Sequence, residues 1–567
     1  MASQSDIKTL AVMDASELQE GQHKNVDFDG SKILVSKLQG QVYATSAYCT
    51  HYGAPLEKGV LSHDGRVVCP WHGACFNLKT GDIEDSPGLD SLWKFKAEEK
   101  DGKIMVSASE KEVKSKVGKV VAATKFAQKK AAQSGKEETV VIVGGGSGGL
   151  HAIESLRMNE FMGKIVVLSE EKYAPIDRTK LSKALVDDAE KLQFRTPEVL
   201  KNDFGVDFHS GTAVTGVNTK EQKVTTSSGE FSYDHLILAP GAKPKKIPIE
   251  GKDLENVVTL RHISDAASIN KMITKDSEVV IIGTSFIGME VAMAVLKKEP
   301  KSVNMVGVDE IPFEAILGKE IGTAIMETMK KAGVKFHMQA EIKKLNPTSE
   351  GGSAVGSLSM KDKEDLPANL VIMGTGVAPA TEFLKESFSL EKDGGIKVDE
   401  YLRVEGQKNV YAIGDIAHYP QAPEGQQRRV EHWNVAGQHG REAAHNIAKP
   451  NDLVKYDKIP VFWSSVGKGL RYVGTGGGFD DSYTDGSIDE LKANQFATYQ
   501  AKNGKITAVA SMQKDPYVAK ASELIRLGLM PTLDEIRGGK VSISRPVLLE
   551  GMRLTGQNIL EINTITA

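Results

Sequence analysis

The glycine-rich segment at residues 139–156 constrains the fold of this chain more than any other stretch. A run of β-branched residues predicts a buried strand, a turn of small residues follows, and then a helical pattern begins. Gly144 permits the tight turn, Gly146 lets backbone approach a pyrophosphate, and Gly149 lets the helix pack on the strand. Glu170, at the end of the next apolar strand, can accept hydrogen bonds from ribose hydroxyls. The segment therefore predicts a dinucleotide site.

A second strand–turn–helix pattern begins at residue 279. Gly283 and Gly288 keep the spacing of the first turn, while Ser285 replaces the central glycine. The strand before the turn and the helical pattern through Glu290 after it favour an NAD(P) site. The apolar run ending at Gly376 closes this domain.

The segment after the strand at 302–306 bears on the choice between NADH and NADPH. Gly307 stands where a ribose-binding acid usually lies, and Asp309 and Glu310 come just beyond it. No Arg or Lys at 307–310 is placed to hold a 2′-phosphate, so NADH is favoured, with NADPH possible.

Another strand, at residues 410–413, ends in Gly414 and Asp415. The Asp415 carboxylate can hydrogen-bond a ribityl chain, while nearby N–H groups take a phosphate. This pattern, placed after an NAD(P) domain, indicates the second half of an FAD site.

Two Cys/His pairs near the N-terminus predict a metal centre. Cys49 is followed by His51, and Cys69 by His72, so two of only three cysteines carry a histidine at short offset. Two thiolates and two imidazoles suit a [2Fe–2S] cluster with Cys ligands on one iron and His ligands on the other. A structural zinc could use the same four ligands. The third cysteine, Cys75, is interpreted as a small buried apolar residue.

These motifs and their flanks resemble known families. The sequences at 52–56 and 73–77 resemble ferredoxin-type Rieske domains, without the extra cysteine pair of the respiratory and photosynthetic members. The segments 175–183, 236–244, 429–438 and 459–464 resemble the ferredoxin-reductase and apoptosis-inducing-factor branch of two-dinucleotide flavoproteins. Together, in this order, they resemble the apoptosis-inducing factor 3 (AIF-like) family.

The resemblance implies roles for particular residues. Lys183 would pair with Glu290 beside the isoalloxazine, and both are the expected catalytic residues. The metal ligands would be Cys49, His51, Cys69 and His72. The residues expected to bind FAD or NAD(P)H are Gly144, Gly146, Gly149, Glu170, Arg178, Lys183, Ala239, Gly241, Gly283, Gly288, Glu290, Gly376, Gly414, Asp415, Trp433 and Trp463.

At 567 residues the chain is too long for a single core, and the motifs predict a multidomain architecture. An all-β Rieske domain is followed by α/β, Rossmann-like FAD and NAD domains and by an α+β C-terminal domain. The predicted bounds are 1–107 for the Rieske domain, 108–137 for a basic linker, 138–260 for the first part of the FAD-binding domain, 261–390 for the NAD(P)-binding domain, 391–455 for the second part of the FAD-binding domain and 456–567 for the C-terminal domain. The linker is expected to be solvated and partly helical, with a membrane-surface or partner-docking helix as the alternative.

Composition excludes several classes of protein. A net charge of −4 without basic excess argues against nucleic acid as a partner. Three cysteines cannot form a disulfide framework, which favours a reducing compartment. The long apolar run at 279–296 carries Glu290, so no transmembrane span is expected. The N-terminus has no clear transit pattern, so a cytoplasmic location is expected, with mitochondrial association possible and the oligomeric state open.

The expected function is an NAD(P)H-dependent oxidoreductase that passes electrons from NADH through FAD to a fused Rieske cluster. The final acceptor, a protein or a small molecule, is not identified by the sequence. Two alternatives stay open: a redox-controlled cell-death or interaction protein of the apoptosis-inducing-factor type, and the reductase component of an oxygenase system.

Overall fold

A computed structural model describes residues 7–62, 64–130 and 137–543. Contacts divide the chain into an N-terminal unit, Met1–Thr124 with Asp515–Ala567, and a central unit, Lys125–Lys514. The sequence places residues 456–567 in one domain, whereas by contacts the residues from 515 on group with the N-terminal unit. The parts of the predicted domains at 1–6, 131–136 and 544–567 lie outside the described residues.

The secondary-structure elements follow in chain order. The strands are β1 Ile7–Asp14, β2 His23–Phe28, β3 Ser31–Leu38, β4 Gln41–Ser46, β5 Val60–Leu61, β6 Arg66–Val68, β7 Cys75–Asn77, β8 Ile83–Asp85, β9 Lys94–Lys100, β10 Lys103–Ser109, β11 Thr139–Val143, β12 Lys164–Leu168, β13 Val206–His209, β14 Val214–Asn218, β15 Lys223–Thr226, β16 Gly229–Ser232, β17 His235–Leu238, β18 Ala242–Pro244, β19 Val257–Val258, β20 Glu278–Ile282, β21 Ser302–Val306, β22 Val334–His337, β23 Ile342–Pro347, β24 Val355–Met360, β25 Leu366–Pro367, β26 Leu370–Met373, β27 Val377–Pro379, β28 Ile396–Lys397, β29 Val410–Ala412, β30 Ala417–Gln421, β31 Gln426–Arg428, β32 Val461–Val466, β33 Lys468–Gly474, β34 Asp481–Asp485, β35 Phe496–Lys502 and β36 Lys505–Met512. The α-helices are α1 Glu110–Val113, α2 Val121–Lys130, α3 Ser147–Met158, α4 Thr179–Ala184, α5 Pro197–Phe204, α6 Ile263–Met272, α7 Phe286–Leu296, α8 Glu314–Leu317, α9 Lys319–Ala332, α10 Trp433–Ala448, α11 Ile488–Lys492, α12 Tyr517–Arg526 and α13 Leu533–Arg537.

The N-terminal unit contains two antiparallel sheets. One has the strand order β1-β10-β9-β4-β3-β2 and the other the order β5-β6-β7-β8. Two-residue turns set the register of the first sheet: Asp29-Gly30 joins β2 to β3, and Asp101-Gly102 joins β9 to β10, with positive φ at all four residues. Such turns match the twist of paired strands, which is why Asp-Gly favours a tight hairpin. The first metal-ligand loop lies between β4 and β5, and the second lies between β6 and β7 of the second sheet.

The central unit contains two parallel sheets, each begun by one of the glycine turns. The first has the order β13-β12-β11-β17-β29 and the second the order β19-β26-β20-β21-β22. Their strands are buried on both faces by crossing helices, which explains the continuous apolar runs in the sequence. The predicted α/β nucleotide-binding architecture is therefore confirmed.

The antiparallel sheet β32-β33-β36-β35-β34 completes the central unit. Part of the predicted linker is helical: α2 begins at Val121, and Phe126 within it is buried. The Arg157 guanidinium lies over the Phe126 ring, 4.2 Å from its centroid. A Cβ at Gly205 would reach 2.4 Å from the same ring, so Phe126 packs tightly against the first nucleotide fold.

Candidate functional site

The two metal-ligand loops of the N-terminal unit have the same backbone pattern. Cys49 donates its N–H to the carbonyl of Ala54, five residues on, at 2.9 Å, and Cys69 does the same to Ala74 at 2.8 Å. In each loop the glycine four residues after the cysteine has positive φ, +74° at Gly53 and the similar value +77° in the second loop. This left-handed backbone favours glycine, because a residue with a Cβ would clash with its own backbone at positive φ. Two equivalent loops therefore present their cysteines alike.

The four candidate ligands stand as two pairs. The His51 and His72 Nδ1 atoms lie 3.1 Å apart. The thiols of Cys49 and Cys69 lie within hydrogen-bonding distance, and this contact, with burial, raises the pKa of Cys49. In the described ranges no three such side chains converge as the ligands of a single ion would. One sulfur pair beside one imidazole pair is the ligand arrangement of a Rieske [2Fe–2S] centre, so the residues fit that cluster.

Aromatic rings surround the histidine pair. Tyr52 stacks on His51 with centroids 3.9 Å apart, and the Trp71 ring meets His72 edge-on at 6.3 Å. Cys75 is buried, as expected for an apolar residue.

In the first glycine turn, two of the three motif glycines are required by close backbone packing. A Cβ on Gly144 would lie 2.1 Å from the Ala239 carbonyl oxygen, and one on Gly149 would lie 2.2 Å from the Gly144 carbonyl oxygen. A Cβ on Gly146 would meet nothing within 4 Å. This open position at the start of α3 leaves room for a phosphate against backbone N–H groups. The turn therefore fits FAD.

The acids after β12 differ in their surroundings. Glu170 is exposed, whereas the neighbouring Glu171 carboxylate accepts hydrogen bonds from Arg178 at 2.6 Å and from Tyr173 at 2.7 Å. Although burial opposes it, pairing with His262 and Arg178 holds the pKa of Glu171 well below its usual range. Glu170 is therefore the carboxylate left facing solvent at the end of the strand.

Asp415, which follows Gly414, lies beside Gly241 of the 236–244 segment. Asp415 accepts a hydrogen bond from Arg261 at 3.2 Å, and a Cβ on Gly241 would lie 2.8 Å from that guanidinium. The Gly414 N–H donates to His439 Nδ1 at 3.2 Å, and burial lowers the pKa of His439 to about 3, so it stays a neutral acceptor. A carboxyl group and a guanidinium thus meet where a ribityl chain and phosphate are expected.

Trp433 begins α10 close to this turn. Its ring stacks with Phe194 at 5.9 Å, and among the described residues none accepts a hydrogen bond from its buried Nε1. A buried indole N–H usually finds an acceptor, so a bound group with an accepting atom would complete this site. This also fits a flavin, which offers carbonyl and ring-nitrogen acceptors.

The second glycine turn repeats the packing of the first. A Cβ on Gly283 would lie 2.4 Å from the Gly374 carbonyl oxygen, and one on Gly288 would lie 2.1 Å from the Gly283 carbonyl oxygen. The Ser285 hydroxyl donates to Gly374 at 3.1 Å. Gly376, which follows, has φ of +84°.

Lys183 and Glu290 meet where α4, α7 and β32 converge. The Lys183 ammonium lies 3.0 Å from one Glu290 oxygen, and the Glu290 side chain is only 2% exposed. Two hydroxyls also donate to the carboxylate: Ser464 to one oxygen at 2.7 Å and Ser182 to the other. Ser465 adds its backbone N–H at 3.1 Å. The carboxylate is thus paired and fully hydrogen-bonded, as a buried charge must be.

An aromatic wall adjoins this pair. His432 and Trp463 meet edge-to-face with centroids 5.3 Å apart, and Trp463 is buried. Burial, together with the nearby Lys183 charge, lowers the pKa of His432 to about 3. His432 therefore stays neutral and accepts a hydrogen bond from the Asn434 N–H.

The structure pairs Lys183 with Glu290 and places Gly241 beside Asp415, and it adds four residues that the sequence did not indicate. These are Ser182, Arg261, His439 and Ser464. Each is a polar residue whose partner lies on another element, from 25 positions away for His439 and Gly414 to 174 for Ser464 and Glu290. No local pattern indicates such contacts.

Comparisons with known proteins agree with this geometry. Residues 138–440 match the family Pyridine nucleotide-disulphide oxidoreductase, and residues 8–96 match the Rieske [2Fe-2S] domain. The chain is 37% identical to apoptosis-inducing factor 3 of Mus musculus over 531 aligned residues. The alignment covers 93% of this chain and 85% of that protein. The chain belongs to the apoptosis-inducing factor 3 family.

Two reductases are similar to about two thirds of this chain. Rhodocoxin reductase of Rhodococcus erythropolis is 31% identical over 371 residues, covering 65% of this chain and 84% of that protein. The crystal structure of the ferredoxin reductase for the CYP199A2 system from Rhodopseudomonas palustris aligns with a TM-score of 0.64 and 27% identity, over 70% of this chain and 96% of that one. The chain is thus a Rieske-fused NAD(P)H/FAD oxidoreductase of the ferredoxin-reductase type. In the described ranges no helix has the length and apolarity needed to cross a membrane.

Proposed function

We propose that this protein takes hydride from NADH at its flavin site and passes single electrons to its own Rieske cluster, and from there to a protein or small-molecule acceptor. The observation that carries this proposal is the position of the cysteines. All three lie at or before residue 75, so the central unit has no cysteine at all. A dithiol therefore cannot take electrons from the flavin, although the family name refers to disulphides.

A flavin, when bound, accepts hydride and can release electrons singly, while a [2Fe–2S] cluster accepts one at a time. The residues of this chain supply placement. Lys183, held by Glu290, would fix a positive charge beside the isoalloxazine, and Glu290 is itself held by Ser182 and Ser464. Because α7 carries Glu290 and also begins at the NAD(P) turn, one helix ties the nicotinamide fold to the flavin site.

The preference for NADH is expected to be small. Asp309 and Glu310 are exposed after β21, in keeping with ribose hydroxyls as their partners. However, the Lys319 ammonium lies 2.8 Å from a Glu310 oxygen, a cation that the sequence analysis did not count. Lys319 could turn to a 2′-phosphate, so NADPH is expected to be a poorer but usable donor.

The test is an anaerobic rapid-mixing experiment with NADH. Flavin bleaching should come first, and the reduced-cluster signal in electron paramagnetic resonance should follow without any added mediator. His72→Ala should remove the cluster and leave the rate of flavin bleaching unchanged, because the ligand loops and the flavin site belong to different units. A cluster that stays oxidised after complete flavin reduction would overturn the electron path.

A further inference from the structure

The short hairpin that presents Cys69 and His72 has an unusual support. Strands β6 and β7 contain three residues each, and the six residues between them form the second ligand loop. Strands this short are marginal without packing on both faces. One face, through Val67 and Phe76, lies in the core shared with the ligand loops.

The opposite face of this hairpin is covered by the far end of the chain. Val68 pairs with Cys75 across the hairpin, and both pack with Ala519 of α12. Side chains alternate between the faces of a strand, so Val67 and Val68 necessarily serve different cores. Ala519 has a small side chain, which permits close approach of the helix.

A buried ion pair fastens the same helix to the same hairpin. The Arg66 guanidinium, at the start of β6, lies 3.2 Å from a Glu523 oxygen, and the two side chains are only 10% and 8% exposed. Arg66 also lies 2.9 Å from Asp64, and Arg526 lies 2.8 Å from Glu523. Glu84 lies farther from the Arg66 guanidinium, at 3.9 Å, and Asp64 lies 3.8 Å from Arg526. Loss of the Glu523 charge would therefore leave the two guanidiniums with only the more exposed Asp64 and Glu84.

We propose that α12 is an integral part of the Rieske unit and that Glu523 is a positioning residue for the second ligand loop. The inference rests on the proposed function, because it assumes that the loops hold a [2Fe–2S] cluster. Glu523 acts through Arg66 on β6, which ends one residue before Cys69. Release of the hairpin would widen the separation between Cys69 and Cys49 and between His72 and His51.

The test uses the full-length protein with Glu523→Gln, which removes the charge and keeps the size. Iron per chain should fall by at least about twofold, and the cluster remaining should show shifted g-values, because removing one partner of a buried ion pair is strongly destabilising. Hydrogen exchange of residues 66–77 should quicken by about tenfold, which does not depend on the cluster being active. Flavin content and the rate of flavin reduction by NADH should not change.

Asp534→Asn is the matched control, since Asp534 lies on α13 of the same C-terminal segment and is 90% exposed. It should leave iron content, g-values and exchange unchanged. Arg66→Met combined with Glu523→Met removes both charges and should restore much of the cluster, because a buried pair can be replaced by apolar side chains. Glu523→Asp, which keeps the charge, should give an intermediate loss.

Unchanged g-values and exchange in Glu523→Gln would overturn the inference, as would equal losses in Asp534→Asn. Wild-type protein without iron, or with a cluster that NADH cannot reduce, would instead contradict the proposed function. The two failures are therefore distinguishable.

Discussion

The two strand–turn–helix segments of the central unit are related position by position, and two of the positions at which they differ bear on their roles. Gly144 and Gly283 occupy the same place, as do Gly149 and Gly288, and in all four a Cβ would come within 2.4 Å of a carbonyl oxygen. At the central position Gly146 is open, whereas Ser285 uses its hydroxyl to bind Gly374. The outer glycines are therefore set by backbone packing, and only the central position is free to vary with the ligand.

The second difference lies two residues after the last glycine. There α3 carries His151, whose Nδ1–H donates to the Ser147 carbonyl of its own helix at 2.9 Å. The equivalent residue of α7 is Glu290, which pairs with Lys183 from the flavin-binding fold. At this position His151 therefore stabilises its own helix, whereas Glu290 connects the NAD(P)-binding fold to the FAD-binding fold.

The largest expected effect comes from the outer glycines. Gly149→Ala and Gly288→Ala would each force a Cβ against a backbone oxygen that cannot move alone, at 2.2 and 2.1 Å. Each should destabilise the central unit by about 3 kcal/mol or more, at or above the upper end of overpacking costs. Denaturant unfolding and flavin content measure this effect. A wild-type unfolding midpoint in either variant would break the equivalence of the two turns.

The next effect concerns the position two residues after the last glycine. Glu290→Gln should slow flavin reduction by NADH at least about tenfold, or about 1.4 kcal/mol of barrier, because Lys183 loses its partner. The control His151→Gln should lower thermal stability and leave that rate unchanged. Rapid-mixing absorbance follows the rate. If FAD is lost instead in Glu290→Gln, the carboxylate is structural.

A smaller effect is expected at the central position. Gly146→Ala should fold normally, since nothing lies within 4 Å of its Cβ, but its methyl group should weaken FAD binding by about tenfold, ~1.4 kcal/mol. Ser285→Ala should cost only the net value of one hydrogen bond, about 1 kcal/mol, without changing FAD content. Flavin titration of the apoprotein and thermal unfolding separate the two. A destabilised Gly146→Ala would show that packing, not ligand, selects this glycine.

The smallest effect should be the choice of nucleotide. NADH should give a higher kcat/KM than NADPH by no more than about tenfold, ~1.4 kcal/mol. Lys319→Ala should widen the ratio a few-fold by removing the cation nearest to Glu310. Steady-state kinetics with both donors checks this. Equal or better kcat/KM with NADPH would contradict the expected preference.

The sequence predicts the residues whose role is local. Gly144, Gly149 and the Cys/His pairs each have a fixed offset within one turn or loop, and steric and coordination rules then suffice. The predicted strand at 302–306 has the bounds of β21.

Contacts between distant segments could not be predicted in this way. Ser182 and Ser464 meet on Glu290 from different elements, and Arg66 meets Glu523 across 457 positions. Serine, arginine and glutamate are common surface residues, so their types carry no signal.

The packing of α12 on the β6–β7 hairpin has a consequence for biosynthesis. The N-terminal part of the unit leaves the ribosome first, but α12 is made after the whole of Lys125–Lys514. Translation of these roughly 400 residues at ~5–20 residues per second takes about 20 to 80 seconds. During that time Val68 and Cys75 have no Ala519 to cover them, and Arg66 has no Glu523. Iron delivered to the nascent chain would therefore meet an unsupported ligand loop, and stable cluster assembly should follow the completion of synthesis.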